Sequence, residues 1–264
     1  MSGVPAAMKR NRLLRSGVNA LRHRTVTRDD ALLVSYPKSG NTWLKFMLAH
    51  ALTGVPTSFD ATEDAIGQVG KRTDVPALLP GGGRILKSHE AFSPGVRAPG
   101  PVVYVVRDGR DVAVSYYQQF VRKGSEPGEF SDFLPRFVAG EIDGYGPWGL
   151  HVTSWLDRRE AQDERLLTIR YEDLLEDPLG GLKETLEFLG ASVDAEIVEA
   201  AVEANHFEQM RKRETESAFH QRQGDKFFVR RGIAGEWRET FSGADTALFD
   251  GAFGAVLDRL SYDR

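Results

Sequence analysis

Short apolar runs alternate with longer stretches of helical period along the chain. Residues 31–36, "ALLVSY", have the length and continuity of a buried strand. Directly after them Leu44, Met47, Leu48, Ala51 and Leu52 fall at i, i+3, i+4, i+7 and i+8, one face of a helix. The alternation recurs. Residues 84–87 predict a short strand, 102–106 ("VVYVV") a second buried strand and 108–123 the helix after it. A helix follows over 148–159 and a strand over 166–170. Asp177 and Pro178 read as the cap and first residue of a helix whose stripe is Leu179, Leu182, Leu186 and Leu189 and whose end is Gly190. Ile197, Val198, Ala201 and Val202 predict another helix, and 243–262 a final one. Residues 54–83 look irregular around Gly81, Gly82 and Gly83, while 211–229 lack a period and read as a flap. With no internal repeat and no linker, the pattern predicts an α/β fold: one domain over 29–264 with a central, mostly parallel sheet flanked by helices.

Charge changes this picture at one end. Seven of the 34 basic residues, and none of the 38 acidic ones, fall in residues 1–28. Those residues form a basic N-terminal arm or helix, with Leu14, Val18 and Leu21 at helical spacing. They lack the continuous apolar core of a secretory signal. The remaining body is acidic, which argues against nucleic acid as a partner, so any bound anion needs a local basic cluster. No apolar run approaches the ~20 residues of a membrane-spanning helix. The absence of cysteine excludes disulfides and thiolate chemistry and fits a cytoplasmic protein.

Candidate chemistry gathers where strands end, the edge at which open α/β sheets bind ligands. "SYPKSGNTW", residues 35–43, is a strand-to-helix turn at the positive end of a helix dipole, with Asn41 or Thr42 placed to cap the helix. Lys38 precedes Gly40, which is the wrong order for the common nucleoside-triphosphate loop. Lys87, Ser88 and His89 follow the second strand, Arg107 follows "VVYVV", and Tyr171, Glu172 and Asp173 follow "LLTIR". Late in the chain "RRGIAGEW" sets Arg230 and Arg231 beside Gly232, a loop able to grip an anion with guanidinium forks. Each has a plainer reading: a solvated lysine, a core histidine, an Arg107 paired with Asp108 or Asp111, a basic surface turn.

"SYPKSGNTW", "LKSH", "VVYVVRDGRDVAVSYY", "IRYEDLLEDP" and "RRGIAGEW", in this order, resemble the cytosolic sulfotransferase family from about residue 32 to residue 242. The resemblance implies a P-loop-kinase-like fold and the sulfuryl donor 3′-phosphoadenosine-5′-phosphosulfate (PAPS), with PAP, adenosine 3′,5′-bisphosphate, as product. It implies Lys38, Ser39, Gly40, Asn41 and Thr42 around the 5′-phosphosulfate and Trp43 against the adenine. Arg107 and Ser115 would hold the 3′-phosphate together with Arg230, Arg231 and Gly232. Tyr171, Phe207, Asn205 and Met210 would line the nucleotide site.

For transfer to a hydroxyl, a small molecule's or a saccharide's, His89 is the natural general base and Lys38 the group that steadies the leaving phosphate. Lys87 stands by the transferred group, and the scheme requires no metal. Phe92, Phe120, Tyr145, Trp148 and residues 54–83 are candidates for lining an acceptor pocket. Glu90-Ala91 replaces the family's common Leu-Pro after the histidine, which makes Glu90 a second candidate to orient His89 or act as base. Arg231 and Glu236 stand where lysine and aspartate are usual. The family's C-terminal dimer motif is unmatched, which implies a monomer or a dimer through another interface. Two readings compete: an ATP- and Mg²⁺-dependent kinase, and a non-catalytic nucleotide-binding scaffold.

Overall fold

The computed structural model describes residues 12–160, 163–218, 227, 229 and 232–264. Five strands form one sheet: β1 (Ala31–Ser35), β2 (Gly67–Gln68), β3 (Ile85–Ser88), β4 (Val102–Val106) and β5 (Leu166–Arg170). Their spatial order is β2-β3-β1-β4-β5 and every pairing is parallel, so all five C-terminal ends meet at one edge. Parallel pairing requires helical crossovers, which cover both faces. β1 shows the result, because all five of its residues are buried. Leu32 and Val34 enter one core, with Tyr104, Trp148 and Trp155, while Ala31 and Leu33 enter the other, with Leu44 and Met47.

The helices are α1 (Arg12–Arg22), α2 (Asn41–Thr53), α3 (Thr62–Ala65), α4 (Gly109–Arg122), α5 (Phe130–Val138) and α6 (Trp148–Glu160). After β5 come α7 (Tyr171–Glu176), α8 (Pro178–Phe188), α9 (Ala195–Ala204), α10 (Phe207–Thr215), α11 (Trp237–Thr240) and α12 (Gly243–Arg259). As expected, Asp177 caps α8 by accepting from the Gly180 N–H, with Pro178 opening the helix. Among the described residues, no helix is long and apolar enough to cross a membrane.

Three expectations are corrected. Residues 211–215 are not part of a flap; they complete α10, whose apolar stripe is weak because only Met210 and Glu214 are buried. The irregular stretch 54–83 contains α3 and the two-residue strand β2. Leu21, expected on the apolar side of α1, is 66% exposed, while Asn19 on α1 and His23 just after it are buried.

Candidate functional site

The turn from β1 into α2 has two residues in the left-handed region, Lys38 (φ 72°) and Gly40 (φ 89°). The expected cap by Asn41 or Thr42 does not form. Gly40 is itself the N-cap and no side chain bonds the first turn. Asn41 instead turns inward and donates to the Leu33 carbonyl at 3.2 Å. The N–H groups at the head of α2 are therefore left without a side-chain partner, the state in which a helix N-terminus receives an anion. A Cβ on Gly40 would lie 2.3 Å from the Tyr171 ring, so the turn is shaped by how closely that ring packs.

The turn opens onto a cavity of about 380 Å³. Of the predicted site residues, Lys38, Gly40, Asn41, Thr42, Trp43, His89, Arg107, Ser115, Tyr171, Phe207 and Gly232 line it, and so do Lys87, Asn205 and Met210. Ser39 does not; it is buried, its hydroxyl without a hydrogen-bond partner among the described residues. Arg230 and Arg231 lie outside the described residues.

Arg107 is held by several weak grips. It donates to the carbonyls of Ile233 (2.9 Å) and Lys38 (3.4 Å), lies 4.6 Å over the Tyr171 ring and stands 3.6 Å from Asp111. Its Nε has no partner among the described residues. The plainer reading, an arginine paired with Asp111, is met by that 3.6 Å contact alone; Asp108 is clasped at 2.7 Å by Arg110, which also stacks 3.8 Å over Trp237. Asp111 is mainly occupied in accepting the Gly235 and Trp237 N–H groups at 2.7 and 2.9 Å, which ties the late loop to α4.

His89 sits one residue past β3 with its Nδ1 2.8 Å from the Ser35 carbonyl oxygen. A carbonyl only accepts, so Nδ1 carries the proton and the neutral ring keeps its lone pair on Nε2. Burial, then the neighbouring Lys87, holds its pKa well below the ordinary histidine value. The ring is neutral at pH 7, as a base must be. Lys87 is itself lowered to about 8, first by burial and then by Lys45.

Glu90 points elsewhere. Its carboxylate takes hydrogen bonds from Asn19 (3.1 Å) and Arg22 (3.4 Å) of α1, and it does not line the cavity. The aromatic candidates also divide. Trp148 is fully buried in the core, Phe120 packs on Phe133, and Phe92 lines a separate surface hollow with Arg158. Tyr145 alone of the four approaches the site, its ring 5.8 Å from that of His89.

Sequence reasoning missed Gln119, which lines the cavity one helical turn after Ser115. It also passed over Lys45, buried on α2 at 6% exposure. Both left a signal: Gln119 shares a helix face with Ser115, and Lys45 is a charge inside the apolar run "WLKFML".

The family model for the sulfotransferase domain matches residues 82–261. Sulfotransferase 1A1 of Bos taurus is 30% identical over 254 residues, covering 84% of this chain and 81% of that protein. Sulfotransferase 1 family member D1 of Rattus norvegicus is 29% identical over 246 residues, covering 84% and 81%. Among solved structures, a mouse sulfotransferase complexed with PAP superposes at a TM-score of 0.70 with 22% identity, covering 94% of this chain and 90% of that one. A retinol dehydratase in complex with retinol and PAP gives 0.70 at 20% identity, covering 92% and 86%. The two structures share the P-loop-like fold, and the extent of the family match places this chain in the sulfotransferase family, as a sulfotransferase enzyme.

Proposed function

We propose that this enzyme moves a sulfuryl group from PAPS to the hydroxyl of a small molecule or saccharide, with His89 as general base. The observation that carries the reading is the His89 hydrogen bond to the Ser35 carbonyl, which leaves Nε2 as the basic nitrogen of a ring lining the same cavity as Lys38 and Arg107. PAPS, when bound, supplies an activated sulfuryl group on its 5′-phosphate and a second anionic end at its 3′-phosphate. The residues suit such a molecule. Lys38 and the open head of α2 serve one anionic end, and Arg107 with Ser115 serves the other. The Arg107 Nε is a donor without a protein acceptor among the described residues. Trp43 and Phe207 offer rings for a base, Trp43 fixed by its indole N–H to the Asn205 carbonyl at 2.9 Å.

In this reading His89 Nε2 takes the acceptor's proton, an effect typically worth about 10²–10⁴-fold. Lys38 holds charge on the leaving phosphate oxygen, and Lys87 faces the transferred group. These are positioning and electrostatic tasks, as in phosphoryl transfer.

Calorimetric titration with PAP, and separately with ATP and Mg²⁺, tests the proposal on wild type and Arg107→Ala. The expected result is metal-free PAP binding that weakens roughly 10- to 100-fold in the variant, the scale of a hydrogen bond to a charged group. Binding of ATP with Mg²⁺ alone would replace this reading with the kinase.

A further inference from the structure

The order of the strands also orders the charges at the sheet's C-terminal edge. Arg107 follows β4, Lys38 follows β1, His89 follows β3, and β2 lies beyond it at the end of the sheet. The two groups assigned to the donor's anionic ends thus stand on one side of His89. On the other side are further cations. Lys87 lies in β3, one residue before its end, and pairs in register with Gln68 of β2, and Lys71 lies in the turn closed by its own N–H bond to the Gln68 carbonyl. Lys45 projects from α2, which packs on α3 just before β2.

Lys45 is 6% exposed and makes neither a hydrogen bond nor an ion pair among the described residues, and Lys87 makes none either. A buried ammonium without compensation is unfavourable. The acid that faces both lysines is Glu63 of α3, and it is exposed. Burial lowers both pKa values, and Lys45 is the foremost charged group lowering that of Lys87. In the sulfuryl-transfer reading Lys38, Arg107 with Ser115, and Lys87 serve the donor and its transferred group, which leaves Lys45 and Lys71 without a part in it.

We propose that the acceptor is itself an anion, a hydroxyl compound bearing a carboxylate, phosphate or sulfate, whose charge is received by Lys45 and Lys71 beside Lys87 while its hydroxyl meets His89. The proposal rests on the sulfuryl-transfer reading above. A neutral acceptor would leave the buried Lys45 ammonium uncompensated when it closed the site; an anionic one neutralises it. Lys71, exposed at the rim, would draw the anion in.

The test is calorimetric titration of the protein–PAP complex with matched phenols at pH 7: 4-hydroxybenzoate against 4-hydroxybenzamide, and 3-(4-hydroxyphenyl)propionate against its amide. Each pair has nearly one shape and differs in charge. The acid of at least one pair should bind tenfold or more tightly than its amide. Lys45→Met should cut that ratio several-fold and Lys45→Arg should preserve it. Lys71→Gln, at an exposed position that tolerates change, should reduce it as well and serves if Lys45→Met does not fold. Amides that bind as well as the acids, binding of neither, or a ratio untouched by all the substitutions would overturn the anionic acceptor. If PAP itself does not bind, the sulfuryl-transfer reading falls and takes this proposal with it.

Discussion

Replacing Gly40 by alanine probes the phosphate turn with a single methyl group. Gly40 has φ 89°, where an L-residue loses about 1–2 kcal/mol relative to glycine. The new Cβ would lie 2.3 Å from Cδ2 and 2.8 Å from Cε2 of Tyr171, far inside contact distance. The ring cannot retreat freely, because Arg107 lies 4.6 Å over its face and Trp43 meets it edge-on at 6.1 Å. Forcing such a neighbour aside typically costs 1–3 kcal/mol. The sum is about 2–5 kcal/mol, a drop in Tm on the order of 10 °C for a domain of this size. Thermal melting followed by circular dichroism reads the loss, and titration with PAP reads its consequence for the site. A double-mutant cycle separates the two causes: in a Tyr171→Ala background the steric part disappears, so Gly40→Ala should then cost only the backbone part. Equal penalties in both backgrounds would show that the Tyr171 ring does not shape the turn.

The pH dependence of kcat/KM should be flat well below pH 6.5, because burial and Lys87 keep His89 neutral there, and should fall above about pH 8 as Lys87 loses its proton. Lys87→Arg should move that alkaline limb upward; an acid limb centred at the ordinary histidine value would contradict the assignment of His89. Asp111→Ala leaves the Gly235 and Trp237 N–H groups unpaired at about 1–3 kcal/mol each, and PAP titration should show weaker binding because the Ile233 carbonyl that braces Arg107 sits in the same loop. Asp30 works on stability instead. Its burial would raise its pKa, but Arg84 and Thr27 outweigh burial and bring it to about 2. The group therefore contributes about 2 kcal/mol that is present above pH 4 and is lost as pH falls toward 2, so urea melts of Asp30→Asn should converge with wild type only at the acid end.

Strand β4 was legible because burial on both faces writes itself as the unbroken apolar run 102–106; the half-buried edge strand β5 also matches its predicted range, 166–170, to the residue. Helix α5 was not, although Phe130, Phe133, Leu134 and Phe137 are spaced for one face, since Pro135 interrupts the pattern inside nine residues. Helix α7 begins at Tyr171, the residue after β5, so no turn signal separates the two. Within the site, the residues that line the cavity by position in a turn, Lys38 and Gly40 to Trp43, were readable from local chemistry. Those that depend on distant partners were not. The inward turn of Asn41 toward Leu33, the diversion of Glu90 to α1 and the tautomer of His89 each depend on a contact made by the folded sheet. Charge that violates pattern was the missed clue at Lys45.

The tie between Asp111 and the loop after Ile233 also bears on how fast and how selectively the site fills. Gly235 and Trp237 are anchored more than 120 positions from Asp111 in sequence by bonds made in folding, before any nucleotide arrives. The conformational entropy of that wall is thus spent once, by the whole domain. Under the proposed reading, a nucleotide then meets a surface already in place and keeps more of its contact energy as affinity, while a molecule of the wrong outline finds no slack to exploit.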